Sequence, residues 1–274
     1  MKLKDLNKEY DKLQLKYGSK DLDSIYNGGC ETNPDICFVF MNPTGRNIAS
    51  SKSWHGLKSP WIGTKNIWDL FEAVNLIDEE LYKTIKKIPG SSWTEEFAEE
   101  VYNNVKKHKI FITNLGKCTQ IDARPLPDKV YKEYLDLLLK EIEIINPKVI
   151  ILFGNQVSSI VLNQKISVST SRKEMYPLKI KDKTYKTYSV YYPIGNGRFN
   201  IDKSIEDIKW IIENEIKKII KEKDSKYRLK KINLDSNLVK DLKLESLDLV
   251  SLVAEFEEKY NIVVDDKDIK NLQT

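Results

Sequence analysis

Histidine and cysteine are scarce in this sequence. Two histidines and three cysteines occur among its 274 residues, and no two cysteines have the Cys-x-x-Cys spacing. Three reduced thiols are therefore expected, rather than a disulfide framework or a cysteine-rich metal site. So few histidines also disfavour a Ser-His-Asp catalytic triad and a His-rich metal centre.

Long apolar runs are missing as well. No stretch reaches the roughly 18 apolar residues that a membrane-spanning helix needs. The N-terminus is charged and helix-like, without the apolar core of a secretory signal. Since 41% of the residues are hydrophobic and 31% are charged, we expect a globular cytoplasmic protein that binds no membrane.

Charge is unevenly distributed along the chain. Residues 233–274 contain five lysines and ten acidic side chains, a net charge of −5, so the remainder carries +9 of the overall +4. A basic body favours a polyanionic partner such as nucleic acid. The acidic end favours a partner enzyme with a basic docking surface.

Apolar runs alternate with helical patterns along the first 220 residues or so. Runs bounded by turn residues predict strands over residues 36–43, 109–115, 148–154 and 186–194, the last after a hairpin around residues 181–183. Helical spacing predicts helices over residues 1–17, 66–77, 94–107, 129–146 and 204–223, with Ser204 as the N-cap of the last. Strands alternating with helices predict an α/β fold, a three-layer α/β/α arrangement with a mainly parallel central sheet.

Ligands of such sheets bind beyond the carboxyl ends of the strands. Three segments are predicted to lie there: residues 41–43, 114–118 and 192–199. The pattern predicts the place of a site but no reaction.

The same segments resemble the active-site motifs of the uracil-DNA glycosylase superfamily. FVFMNPTG resembles the Gly-Ile-Asn-Pro-Gly motif of the mismatch-specific branch, with Asn42 at the position of the catalytic asparagine. FITNLGKC resembles the Thr-Asn-Val-Val-Lys-Cys strand end of the iron–sulfur branch, with Asn114 as the base-reading asparagine. Trp61 falls where an aromatic residue stacks on the base, and YYPIGNGRFN stands in place of the His-Pro-Ser loop.

The resemblance implies an enzyme that hydrolyses the N-glycosidic bond of uracil, or of a related damaged base, in DNA. It assigns catalysis to Asn42 and Tyr192, and we assign base binding to Met41, Trp61 and Asn114. Loop residues predicted to contact DNA are Lys52, Asn196 and Arg198.

Some positions depart from the family pattern. Tyr192 replaces the histidine of the last motif, and Ile194 replaces its serine. Tyr134 stands where the iron–sulfur branch has a ligand cysteine, so we expect no cluster, no metal and no cofactor in this domain. An alternative is a module of the same fold that binds a nucleotide or nucleic acid without cleaving it. Asn42 and Asn114 could also be turn residues, and Trp61 could be a core residue.

The acidic end resembles an acyl carrier protein from its first loop through its third helix. Glu245-Ser246-Leu247 matches the Asp-Ser-Leu motif, whose serine carries 4′-phosphopantetheine. The alternative for Ser246 is an ordinary helix N-cap. We predict a glycosylase-like domain over residues 1–223 and a small helical carrier-like segment over residues 224–274. The segment ends where a carrier protein would begin its last helix. The spacing would let the helix over residues 204–223 serve both parts. A third hypothesis is that this carrier-like segment defines the role of the protein.

Overall fold

A computed structural model of the chain describes residues 2–122 and 126–216, apart from the side chain of Asn196. Residues up to Ile216 form one compact unit. The predictions for residues 217–274, Ser246 among them, lie outside the described residues.

Helices and strands alternate along most of this unit. The helices are α1 Leu3–Tyr17, α2 Trp68–Ala73, α3 Glu79–Lys87, α4 Glu95–Lys107, α5 Asp128–Ile145, α6 Asn155–Val161 and α7 Ile201–Ile211. The strands are β1 Asn27–Gly29, β2 Ile36–Phe40, β3 Ile110–Asn114, β4 Val149–Phe153, β5 Met175–Ile180 and β6 Lys183–Val190. Within the described ranges, no helix is long and apolar enough to cross a membrane.

The strands form one six-stranded sheet in the order β1-β3-β2-β4-β6-β5. The four inner strands, β3, β2, β4 and β6, are parallel to one another. At the two edges, β1 pairs antiparallel with β3, and β5 pairs antiparallel with β6. The prediction of a mainly parallel central sheet is therefore confirmed.

Two apolar cores cover the two faces of the sheet. Successive side chains of a strand point to opposite faces, so Phe38 and Phe40 of β2 enter one core and Cys37 and Val39 enter the other. Helices α2, α3, α4 and α7 contribute to the first core, and α1, α5 and α6 to the second. This arrangement is the predicted three-layer α/β/α architecture.

Strand β2 marks a change of direction in the sheet. The chain moves from β2 to β3 on one side, then returns past β2 to β4 on the other side. Connections leave the carboxyl ends of adjacent β2 and β4 in opposite directions, which opens a crevice there. A ligand site is thus expected between the ends of these two strands.

Among the helix boundaries, the largest differences from the sequence prediction are at α2 and α7. The helix predicted over residues 66–77 is α-helical over Trp68–Ala73, and Asn75 adopts a left-handed backbone with φ of 57°. The predicted N-cap Ser204 is wrong, because α7 begins at Ile201 and directly follows a 3-10 turn over residues 195–200. Ser204 lies inside the helix, where its hydroxyl donates to the Tyr191 carbonyl at 2.9 Å.

Candidate active site

The loops that follow β2 and β3 are joined by backbone hydrogen bonds. Leu115 N–H donates to the Phe40 carbonyl and Gly116 N–H to the Met41 carbonyl, both at 2.8 Å. Thr44 and Gln120 then form an isolated parallel bridge. Strand pairing therefore continues past the ends of β2 and β3, and it holds the two predicted site loops side by side.

The side-chain amide of Asn42 is held at both ends. Its Nδ2 donates to the Pro43 carbonyl at 3.1 Å, and its Oδ1 accepts from the Tyr131 hydroxyl at 2.6 Å. An amide group has two donor protons and two acceptor lone pairs. These bonds therefore leave one Nδ2 proton and one Oδ1 lone pair of Asn42 for a ligand or a water molecule.

Aromatic rings surround the end of β2. The Phe40 ring stacks on Phe153 at the end of β4, with centroids 4.2 Å apart and an interplanar angle of 6°. Trp61 meets Phe40 edge-on at 5.0 Å, and Tyr192 meets it edge-on at 6.3 Å. These four rings form an aromatic cluster around Phe40, called the Phe40 floor. It lies at the carboxyl ends of β2 and β4, where the crevice is expected.

Trp61 is partly buried in this cluster. Its backbone is left-handed, with φ of 69°, and its carbonyl accepts hydrogen bonds from both the amide and the hydroxyl of Thr64. Its indole nitrogen is buried without a hydrogen-bond partner among the described residues. A bulky residue rarely adopts this strained conformation. The hydrogen bonds from Thr64 maintain the turn, and the turn places the indole beside Phe40.

Tyr192 begins a tightly folded loop after β6. A Cβ on Gly197 would lie 1.8 Å from the Tyr192 carbonyl oxygen, so only glycine permits this close approach. Burial raises the pKa of the Tyr192 phenol well above its usual value. The phenol therefore stays protonated at neutral pH and is a hydrogen-bond donor there.

Asn114 is buried at the end of β3, and a lysine beneath it holds its turn. The ammonium group of Lys117 donates to the Asn114 carbonyl at 2.9 Å and to the Thr113 hydroxyl. Lys117 also forms an ion pair with Glu141 at 2.8 Å, and both side chains are 0% exposed. The loop of Asn114 is thus fixed to helix α5 through a buried charge pair.

Glu141 also accepts hydrogen bonds from three neutral side chains. Its carboxylate accepts from the Tyr10 hydroxyl at 3.3 Å, from Asn27 Nδ2 at 2.7 Å and from the Thr113 hydroxyl at 2.9 Å. Burial lowers the pKa of Lys117, although the attraction of Glu141 opposes that shift. The network joins α1, β1, β3 and α5 directly behind the predicted base-reading residue.

The remaining predicted residues are less closely connected. Met41 is half-buried and packs against the core opposite to that of Phe40, while Lys52 and Arg198 are exposed. The Asn196 side chain lies outside the described residues. Trp61 and Tyr192 both contact the Phe40 ring. Asn42 follows Phe40 by two residues, and Asn114 ends the neighbouring strand β3.

The sequence motifs assign no role to four further residues of this region: Phe40, Lys117, Tyr131 and Phe199. Phe40 ends the apolar run before Asn42, and Tyr131 lies on the apolar face of α5, so both patterns indicated core rather than site. The signal for the buried pair was Glu141, an acidic residue at a helical spacing shared with Leu138 and Ile145. Phe199, which is 94% exposed beside Arg198, had no signal in the pattern.

Other features of the described residues lie apart from this site. A cavity of about 430 Å³ adjoins β1 and is lined in part by Gly28, Cys30, Tyr102 and Lys106. It contains none of the predicted site residues. Within residues 2–122 and 126–216, no group of three or more His, Cys, Asp or Glu side chains is placed to hold a metal ion.

Comparison with known proteins agrees with the two resemblances. The profile of the uracil DNA glycosylase superfamily matches residues 28–209, and that of the phosphopantetheine attachment site matches residues 214–274. An acyl carrier protein of Buchnera aphidicola is 44% identical over 61 residues, which are 22% of this chain and 77% of that protein. One from Cyanophora paradoxa is 37% identical over 70 residues, 26% of this chain and 67% of that protein.

Proposed function

Because this chain belongs to the uracil DNA glycosylase superfamily through residues 28–209 and to the phosphopantetheine-attachment family through residues 214–274, we propose that its first domain is a DNA glycosylase. Its substrate would be uracil or a related damaged base in DNA. The observation that carries the proposal is the Asn42 amide, which is held by two hydrogen bonds beside an aromatic floor at the crevice of the sheet.

Three of the predicted site residues have the chemistry that this reaction would use. A glycosylase takes its base out of the stack, and the Trp61 ring offers a face for stacking, worth about 1–3 kcal/mol. The amide of Asn114 can pair with the O4 and N3–H groups of uracil. The protonated phenol of Tyr192 can donate to a base oxygen and stabilise the charge that develops there.

Asn42 would orient the attacking water through its remaining lone pair. The water oxygen bonds to the sugar carbon while the bond from that carbon to the base nitrogen breaks. The electron pair of the broken bond stays on the base, which then takes up the proton released by the water. The products are a free base and an abasic site, and no redox partner is required.

A cleavage assay tests this proposal. The purified chain is incubated with end-labelled single- and double-stranded oligonucleotides that contain one uracil, and alkali then breaks any abasic strand. We expect breakage at the uracil and none in the matched thymine oligonucleotide. DNA binding without breakage at uracil or at other damaged bases would favour the alternative, a module that recognises nucleic acid without cleaving it.

Phe199 is expected to help extrude the base from a duplex. An exposed apolar side chain can enter the gap that an extruded base leaves, at an unstacking cost of a few kcal/mol. We expect Phe199→Ala to lower turnover of double-stranded substrate about tenfold and to leave single-stranded turnover within about twofold. Leu15→Ala removes another exposed apolar side chain, 87% exposed on α1, and is the control. Equal losses on both substrates would contradict this role.

For the second part of the chain we propose a carrier function with 4′-phosphopantetheine on Ser246. The profile match covers residues 214–274 and therefore includes Ser246. The acidic side chains of residues 233–274 would bind a basic partner enzyme.

Mass spectrometry tests the carrier function. After incubation with coenzyme A and a phosphopantetheinyl transferase, we expect the chain to gain the mass of one phosphopantetheine arm. Ser246→Ala should gain none, whereas the control Ser251→Ala should gain the same mass as the wild type. If Ser246→Ala is still modified, the attachment point is wrong, and if the wild type gains nothing, the carrier function is rejected.

A further inference from the structure

Tyr131 reaches the predicted catalytic asparagine from a different layer of the molecule. It lies in the first turn of α5, which packs against the core opposite to that of Phe40. Its side chain is 0% exposed, and its hydroxyl is 2.6 Å from Asn42 Oδ1. Helix α5, which packs in the second core, thus places the Tyr131 hydroxyl at the predicted site beyond the carboxyl end of β2.

Gly116 makes room for this approach. A Cβ at Gly116 would lie 3.1 Å from Cε1 and 3.3 Å from Cδ1 of the Tyr131 ring, closer than ordinary side-chain contacts. Gly116 N–H also donates to the Met41 carbonyl, directly before Asn42. The glycine therefore lets the tyrosine ring pass over the loop of β3 while that loop stays bonded to the loop of Asn42.

The two partners of Asn42 define which way its amide faces. The Pro43 carbonyl can only accept a hydrogen bond, so the amino group of Asn42 must face it. The carbonyl oxygen of the amide then faces Tyr131, whose hydroxyl donates to it. Without this donor the amide would keep one partner and could rotate away, since a single hydrogen bond leaves the side-chain torsions free.

We propose that Tyr131 is a positioning residue that fixes the Asn42 amide, so that its free lone pair points at the attacking water. This inference rests on the proposed glycosylase function. Tyr131 acts through Asn42 and does not touch the substrate. The hydroxyl selects one orientation of Asn42 before DNA binds, and the site enters the reaction with that orientation already set.

The hydroxyl keeps its proton over the working range of pH. Burial raises the pKa of Tyr131 above its usual value, and the nearby Tyr192 phenol adds to that shift. Tyr131 is therefore a donor wherever the fold is intact, and its contribution should not titrate near neutral pH.

Tyr131→Phe removes the hydroxyl and keeps the ring. We expect kcat to fall about 10- to 100-fold and KM to stay within about threefold, because orientation of the attacking group is lost and base binding is retained. Tyr134→Phe is the matched control, since Tyr134 is a buried tyrosine of the same helix whose phenol lies next to Cys118. It should keep the wild-type kcat. Adding Tyr131→Phe to Asn42→Ala should cost nothing further, since the two residues act as one unit.

A second readout separates this inference from the proposed function. The side-chain amide signal of Asn42 is identified in ¹⁵N–¹H spectra of the full chain by its loss in Asn42→Ala. We expect Tyr131→Phe to shift this signal and Tyr134→Phe to leave it in place. If the wild type cleaves uracil DNA and Tyr131→Phe keeps its kcat, the positioning role is overturned. If the wild type cleaves nothing, the glycosylase function fails, and the amide signal decides the positioning role alone: a shift supports it and an unchanged signal overturns it.

Discussion

Replacing Asn42 with alanine is expected to lower the rate of uracil release by about 100- to 1,000-fold, the range found when one transition-state contact is removed. The truncated side chain can no longer hold the attacking water, while Trp61 and Asn114 remain in place to bind the base. Binding of uracil-containing DNA should therefore stay within about threefold of the wild type. Single-turnover cleavage measures the first quantity, and fluorescence anisotropy with a labelled oligonucleotide measures the second.

Asn103→Ala is a suitable control for this variant. Asn103 is an exposed residue of α4, so the same substitution there should change neither cleavage nor binding. A rate for Asn42→Ala within about threefold of the wild type would show that another group orients the water. A parallel loss of cleavage and DNA binding would instead assign Asn42 to recognition.

Replacing Lys117 with methionine is expected to destabilise the first domain by about 3–5 kcal/mol, because removal of one partner leaves a buried charge uncompensated. Glu141 would keep Tyr10, Asn27 and Thr113 as donors but lose its cation. The carboxyl group would then have to take up a proton or admit water. Unfolding in urea followed by circular dichroism gives the change in free energy.

Lys83→Met is the matched surface control. Lys83 pairs with Glu79 and Glu80, but all three side chains are more than half exposed, and exposed pairs are worth less than about 1 kcal/mol. Adding Glu141→Gln to Lys117→Met should recover part of the lost stability, since the amide carries no charge and its oxygen still accepts hydrogen bonds. A loss below about 1 kcal/mol for Lys117→Met would contradict the structural role of the pair.

Much of the sheet could be predicted because its strands are buried on both faces. Such strands appear in the sequence as continuous apolar runs ended by turn residues, and the runs at β2, β3 and β4 have that form. Parallel strands place their carboxyl ends at one edge, so the ends of β2 and β3 were expected to meet. The hydrogen bonds of Leu115 to Phe40, the last residue of β2, and of Gly116 to Met41 are consistent with that expectation.

Elements without a local signal were not predicted. Strand β1 reads Asn-Gly-Gly, and these residues favour turns rather than strands. Its place in the sheet comes from pairing with β3 and from Asn27, which donates to Glu141. Ser204 had the residue type of an N-cap, but the preceding 3-10 turn already supplies helical backbone from which α7 continues. A long-range hydrogen bond to the Tyr191 carbonyl then uses its hydroxyl.

The sequence by itself determined the alternation of buried strands with helices, the strand ends at which Asn42 and Asn114 lie, and the family to which the chain belongs. Local periodicity and short motifs carry that information. The tertiary structure alone decided that Tyr131 holds Asn42, 89 positions away in the chain, and that Glu141 neutralises Lys117, 24 positions away. In the sequence, Tyr131 and Glu141 both lie on the apolar face of α5, a pattern typical of core packing. Their roles depend on which loops that face covers, and only the folded chain brings the face and those loops together.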